Sequence, residues 1–184
     1  MRDITKSFIK KSSWVSTAIG VAIYLIHQPK DLSGFLSIIK YSVILSAVIM
    51  LAYERKFWRC NPFEKVPKLH SNYIGILSYN YKGNAEKKEM EVKIKQTLLS
   101  TRVILKTNEI RSHSVTANLI FENEEYVLYY IYQTIPKSEF SQDNPIQYGA
   151  CRFIIDDVNE LNGNYWTLRK TIGDLHLKAV SEAS

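Results

Sequence analysis

Two long hydrophobic stretches open the chain, and alternating hydrophobic and polar positions fill most of the remainder. Residues 14–27, "WVSTAIGVAIYLIH", carry no formal charge, and residues 35–53, "FLSIIKYSVILSAVIMLAY", carry only Lys40. At 1.5 Å per residue the second stretch reaches about 28 Å, close to the hydrocarbon thickness of a bilayer. The first is shorter and draws on Ser12, Ser13 and Gln28 at its ends. A tight polar "QPKDLSG" joins them. The pattern predicts a transmembrane helical hairpin within residues 1–60, with spans at about 13–28 and 35–53. Lys40 lies near the connection, where its ammonium can snorkel to the surface. A pair of buried helices in a soluble domain and a cleaved signal peptide are the alternatives. The second apolar stretch and the missing small-residue cleavage site argue against a signal peptide.

From residue 61 the period changes to two. Eight runs rich in β-branched and aromatic residues appear: 72–81, 88–97, 101–107, 112–122, 125–134, 146–156, 164–170 and 174–180. Turn-forming segments such as "KGNAEK", "NEE" and "DVNELNG" separate them. Short connections imply antiparallel neighbours. Eight such strands predict an all-β, up-and-down barrel over residues 61–184, which leaves no sheet edge exposed and can hold one small ligand. A β-sandwich is the alternative.

Charge then sorts the two parts. Nine of the 24 Lys and Arg residues and three of the 18 acids lie in residues 1–60, so this part carries the whole net charge of +6. The remainder is balanced, which argues against a surface for duplex nucleic acid. The basic residues flank the hairpin rather than its connection. By the positive-inside rule both termini, and hence the barrel, face the cytoplasm. The two cysteines, Cys60 and Cys151, have no CxxC spacing, and the four histidines are scattered. These features point to free thiols and offer neither a metal site nor a cofactor motif. Ser112-His113-Ser114 is the one Ser/His cluster, but adjacent strand residues face opposite sides, which disfavours a nucleophile–base pair and an enzyme.

Strand parity supplies candidate ligand contacts. Tyr165, Thr167 and Arg169 share one face, as do Ser112, Ser114 and Thr116; Tyr130 and Tyr132 pair on a third strand and Tyr79 lies on the first. If these faces point inward, the interior holds hydroxyls, rings and a guanidinium. Such a lining suits an anion with rings to stack, because the guanidinium fork matches phosphate. Facing outward, the same rows are solvated surface. A uniformly apolar lining would instead indicate a lipocalin-like carrier of an apolar molecule.

The segments "NPFEKVPKLHSNYIGILSYN", "SHSVTA", "VLYYIYQTIP", "YGACRF" and "LNGNYWTLRKTIGDLHL", behind a two-helix N-terminus, resemble the CBASS anti-phage effector family with two transmembrane helices and a β-strand-rich sensing domain. Its most specific part is GxYxTxRxTxG, here Gly163, Tyr165, Thr167, Arg169, Thr171 and Gly173. Tyr73 stands where the family motif usually has Trp. The resemblance implies a barrel that binds a cyclic oligonucleotide, typically a cyclic dinucleotide, made by a CD-NTase enzyme. It further implies homo-oligomerisation on binding, disruption of the bacterial inner membrane and abortive infection. Arg169 would hold a phosphate, Thr167, Ser112 and Ser114 would donate hydrogen bonds, and Tyr79, Tyr130, Tyr132 and Tyr165 would stack on the ligand or wall it.

Overall fold

The computed structural model describes residues 2–81, 84–142 and 145–180. They divide into two compact units, one built from the N-terminal 65 residues with residues 97–99, the other from residues 66–96 and those from 100 onward.

The first unit is a helical pair. Helix α1 (Arg2–His27) and helix α2 (Leu32–Arg55) are joined by a four-residue connection. Asp31 caps α2: its carboxylate accepts from the Gly34 backbone N–H at 3.2 Å and from the Ser33 hydroxyl at 2.6 Å. Within α2 the buried residues are Ile38, Ser42, Ser46 and Met50. Their spacing of four makes a single stripe. Gly20 of α1 lies against it, so that a methyl group there would sit 3.5 Å from the Ser42 hydroxyl. Both serine hydroxyls turn back to donate to backbone carbonyls of their own helix, at 2.9 Å. Small side chains that satisfy themselves allow close helix approach without leaving a polar group bare. Most of the rest of α2, including Leu36, Val43, Ile44 and Val48, is exposed. Among the described residues α2 is the one helix long and apolar enough to cross a membrane; α1 is longer but starts with a basic, polar half.

The second unit is a closed barrel of eight antiparallel strands in sequence order: β1 (Asn72–Tyr81), β2 (Asn84–Gln96), β3 (Thr101–Lys106), β4 (Ile110–Glu122), β5 (Glu125–Pro136), β6 (Gln147–Asp157), β7 (Glu160–Thr167) and β8 (Ile172–Ala179). β1 pairs with β8 from Tyr73↔Ala179 to Tyr79↔Gly173, which closes the sheet and excludes the sandwich. Both ends of β7 differ from expectation. β7 begins at Glu160, inside the expected "DVNELNG" turn, because Glu160–Gly163 continue the pairing with β8. It ends at Thr167 rather than residue 170, where Lys170, with φ of 61°, turns the chain back. In β4 a register shift between Ser114 and Thr116 resets the parity. Thr116 is consequently exposed instead of continuing the inward Ser112–Ser114 row, and Leu119 takes up the inward face.

The barrel has two unlike halves. Tyr73, Val92, Ile94, Leu128, Phe153, Leu161 and Leu177 fill one end with buried apolar side chains. Tyr73 is structural there. Its hydroxyl donates to the Val158 carbonyl at 2.8 Å and accepts from the His70 N–H at 3.0 Å. Towards the other end the inward positions become Tyr79, Lys88, Ser112, Thr134 and Thr167, and the interior opens.

Candidate functional site

A cavity of about 750 Å³ occupies the polar half of the barrel. The eight residues to which the resemblance gives ligand contacts all line it: Tyr79 from β1, Ser112 and Ser114 from β4, Tyr130 and Tyr132 from β5, Tyr165 and Thr167 from β7, and Arg169 just beyond β7; Thr116 does not. Tyr130, Tyr132, Tyr165 and Ser112 are buried, Tyr79, Ser114 and Thr167 partly so, and Arg169 is exposed. Arg169 is thus a residue of the mouth, not the interior, because the strand ends two residues before it.

Three glycines make room for the rings. Tyr132 pairs across the sheet with Gly149, Tyr165 with Gly173 and Phe153 with Gly163. A Cβ at these glycines would come within 2.4 Å of the Tyr132 ring, 2.5 Å of the Tyr165 ring and 2.5 Å of the Phe153 ring. Each ring therefore lies flat across its neighbouring strand instead of filling the lumen. Tyr130 stacks on Phe153 with a 6.2 Å centroid separation and 10° between planes. Two residues of the sequence motif, Gly163 and Gly173, thus shape the wall.

Hydrogen bonds divide the lining into groups committed to the wall and groups still able to bind. Ser112 and Thr134 hydroxyls share a buried bond of 2.9 Å. Ser114 Oγ accepts from the Val103 backbone N–H at 3.0 Å, beside the register shift, and keeps its proton to donate. Thr167 Oγ1 accepts from the Thr171 N–H at 3.3 Å, which ties the β7–β8 turn together. Gln147, also in the lining, has a buried Oε1 with no partner among the described residues. An orphaned buried acceptor is costly unless a bound molecule supplies a donor.

Burial keeps the deep groups neutral. It pushes the Tyr130, Tyr132 and Tyr165 phenols well above their ordinary range, and the Cys151 thiol up to about 12. These phenols offer O–H donors and ring faces, never phenolate charge. Charge is confined to the mouth. There Lys88 of β2 binds Glu109, in the β3–β4 turn, through both carboxylate oxygens at 2.8 Å. Lys88 also lies 5.7 Å from the centre of the Tyr79 ring, and the Tyr79 hydroxyl donates to Glu86. Lys170 also lies in the charged rim.

The sequence reading missed Lys88, Glu109, Thr134 and Gln147. For Lys88 a signal existed: it is in phase with Met90, Val92 and Ile94, the buried face of β2. A cation in step with a buried row is an inward cation.

Comparison with known proteins agrees with this geometry. Residues 64–179 match the family model for the Cap15 cyclic dinucleotide receptor domain. Over 181 residues the chain is 37% identical to the CD-NTase-associated protein 15 of Staphylococcus schleiferi, covering 97% of this chain and 98% of that one. The barrel, its motif residues and these two matches lead to one assignment: the chain belongs to the Cap15 family of CBASS anti-phage effectors, whose barrel is a cyclic dinucleotide receptor domain.

Proposed function

We propose that this chain is a membrane effector in which the barrel cavity binds a cyclic dinucleotide, and that binding drives self-assembly and disruption of the bacterial inner membrane. The observation that carries the reading is the lining. Hydroxyl donors, neutral rings and a cationic mouth surround about 750 Å³, within the roughly 300–1,000 Å³ typical of small-molecule sites. Rings suit the faces of nucleobases, and Ser112, Ser114, Thr167 and Arg169 suit phosphodiester oxygens. An apolar cargo is disfavoured, because Lys88, Glu109 and Glu86 would lose hydration with no polar contact from the cargo in exchange.

Assembly is supported by the outer wall. Ile131, Ala150, Trp166 and Ile172 form one unbroken register row across β5 to β8. Trp166 and Ile172 are 45% and 70% exposed, and Leu168 adjoins them at 76%. An apolar row of this kind on a barrel without edges suits contact with another copy. The helical pair supplies the membrane part. Two helices enclose no lumen, so damage requires several copies. Both helices are proposed to span, α1 through residues 13–28, with both termini and the barrel cytoplasmic. No catalytic step is involved.

The test is isothermal titration of the detergent-solubilised chain with a panel of cyclic di- and trinucleotides, followed by light scattering. One cyclic dinucleotide should bind and enlarge the particle. Binding of none of them, or binding without enlargement, refutes the sensing or the assembly step respectively.

A further inference from the structure

A cyclic dinucleotide carries two phosphodiesters on opposite sides of its ring, each with one negative charge. Arg169 can meet one of them. Lys88 is placed for the other. Arg169 follows β7 and Lys88 sits on β2, and β8 and β1 lie between those strands. Three strand spacings amount to about 14 Å around the wall. The two cations thus flank the cavity from separate sides.

Lys88 is, however, already engaged. Glu109 grips its ammonium with both oxygens at 2.8 Å. The pair is sheltered, with side-chain exposures of 33% for Lys88 and 27% for Glu109. Both residues line the cavity. A carboxylate in that position is a built-in competitor: it satisfies the ammonium while the barrel is empty, and it repels an arriving dianion. Among the described residues the charged lining comprises three cations (Lys88, Arg169, Lys170) against two carboxylates (Glu86, Glu109), an excess of one, where a dianionic ligand calls for two. Releasing Glu109 from the cavity corrects that balance.

Glu109 is also mounted where its release can be felt. It ends the β3–β4 turn, and its backbone N–H and that of Ile110 both donate to Thr107 Oγ1 at 3.2 Å. Its carbonyl accepts from Lys137 N–H at 2.9 Å, at the start of the β5–β6 connection. We propose that Lys88 binds the second phosphate of the cyclic dinucleotide, and that ligand entry exchanges the Glu109 carboxylate for that phosphate. No covalent bond changes. The exchange makes affinity a difference between two anions competing for one ammonium, and Glu109 sets the concentration at which the messenger is sensed. This inference rests on the cyclic-dinucleotide reading above.

The test titrates the full chain in detergent with cyclic di-AMP, cyclic di-GMP and a mixed purine–pyrimidine cyclic dinucleotide, at one fixed salt concentration. Lys88→Gln should weaken binding roughly tenfold or more, the scale of a lost charge-assisted contact, and Lys88→Arg should retain most of it. Glu109→Gln should tighten binding by about threefold to tenfold, as expected when a competing charge is removed. The double variant should gain less over Lys88→Gln than Glu109→Gln gains over the wild type, because only the repulsion, and no longer the competition for the ammonium, is left to relieve. If Lys88→Gln does not fold, Glu109→Gln decides the matter, since misfolding cannot raise affinity. A wild-type chain that binds while Glu109→Gln is unchanged or weaker overturns the exchange and leaves the cyclic-dinucleotide reading standing. A wild-type chain that binds none of the panel overturns both.

Discussion

Replacing Arg169 by alanine gives a sharp measure of how the mouth of the barrel works. A charge-assisted hydrogen bond to phosphate contributes about 1.5–3 kcal/mol. Arg169 is exposed and lies beyond the end of β7, so water and salt screen its charge and the low end applies. A loss of about 1.5–2 kcal/mol corresponds to roughly tenfold to thirtyfold weaker binding. Arg169→Lys retains the point charge, worth about 1 kcal/mol at 4 Å in water, and loses the planar fork, so it should recover about half of the lost free energy. The fold should be untouched, because the β7–β8 turn is held by Thr167, Lys170 and Thr171 through backbone bonds of 3.0 Å. The assay is isothermal titration with the cyclic dinucleotide that binds the wild type, at low and high salt. Wild-type affinity should fall more steeply with salt than that of the alanine variant. A folded Arg169→Ala chain with unchanged affinity and an unchanged salt slope would show that Arg169 is plain surface and that the phosphate lies elsewhere.

Trp166→Glu places a charge in the outer apolar row without touching the lumen, so the variant should bind the messenger normally but not enlarge in light scattering. Ser33→Cys, in the first turn of α2, should react with a membrane-impermeant maleimide added to intact cells, whereas native Cys60 should not; the reverse pattern refutes the cytoplasmic placement of the barrel. Cys151 is held up at about 12 by burial, so it should resist alkylation at pH 8, where exposed Cys60 reacts. The same raised values set a pH dependence. Cys151, Tyr130, Tyr132 and Tyr165 are all more easily ionised when unfolded, so stability should hold below about pH 8.5, the ordinary thiol range, and fall as pH rises towards about 12. Melting followed by circular dichroism from about pH 7 to about pH 11 checks the sign.

The barrel is legible in the sequence because its signal is binary. Alternation in "EYVLYYIYQT" and "DLHLKAV" fixes which side chains share a face, and short turns fix antiparallel order. Alternation cannot carry any break in its own period. The register shift after Ser114 turns Thr116 outward, and no residue type announces such a shift. Arg169 continues the strand pattern in the sequence, yet the strand stops at Thr167; it reaches the cavity mouth from a turn instead. Lys88 shares the alternating face of Met90, Val92 and Ile94 in "KEMEVKIK", but a cation at the end of an apolar row reads as the point where the row meets water until the burial of that row shows the strand running on along the cavity. For the helical pair, hydropathy picks out α2 readily, whereas α1 shares its length between a basic half and an apolar half and averages to neither.

The flat-lying rings opposite Gly149, Gly163 and Gly173 bear on how this protein can change over generations. Each ring and its glycine occupy one shared volume, so the glycine cannot gain a side chain while the ring stays. A methyl group at residue 173 meets the Ser78 carbonyl oxygen at 2.3 Å as well as the Tyr165 ring at 2.5 Å, so shrinking the ring relieves only part of the clash. The tolerated path runs the other way: the tyrosine can shorten first, widening the lumen, while the glycine stays. Descendants that answer to bulkier messengers should therefore differ at residues 132 and 165 before they differ at 149 and 173. The glycines would mark shared ancestry, and the rings opposite them would record the ligand.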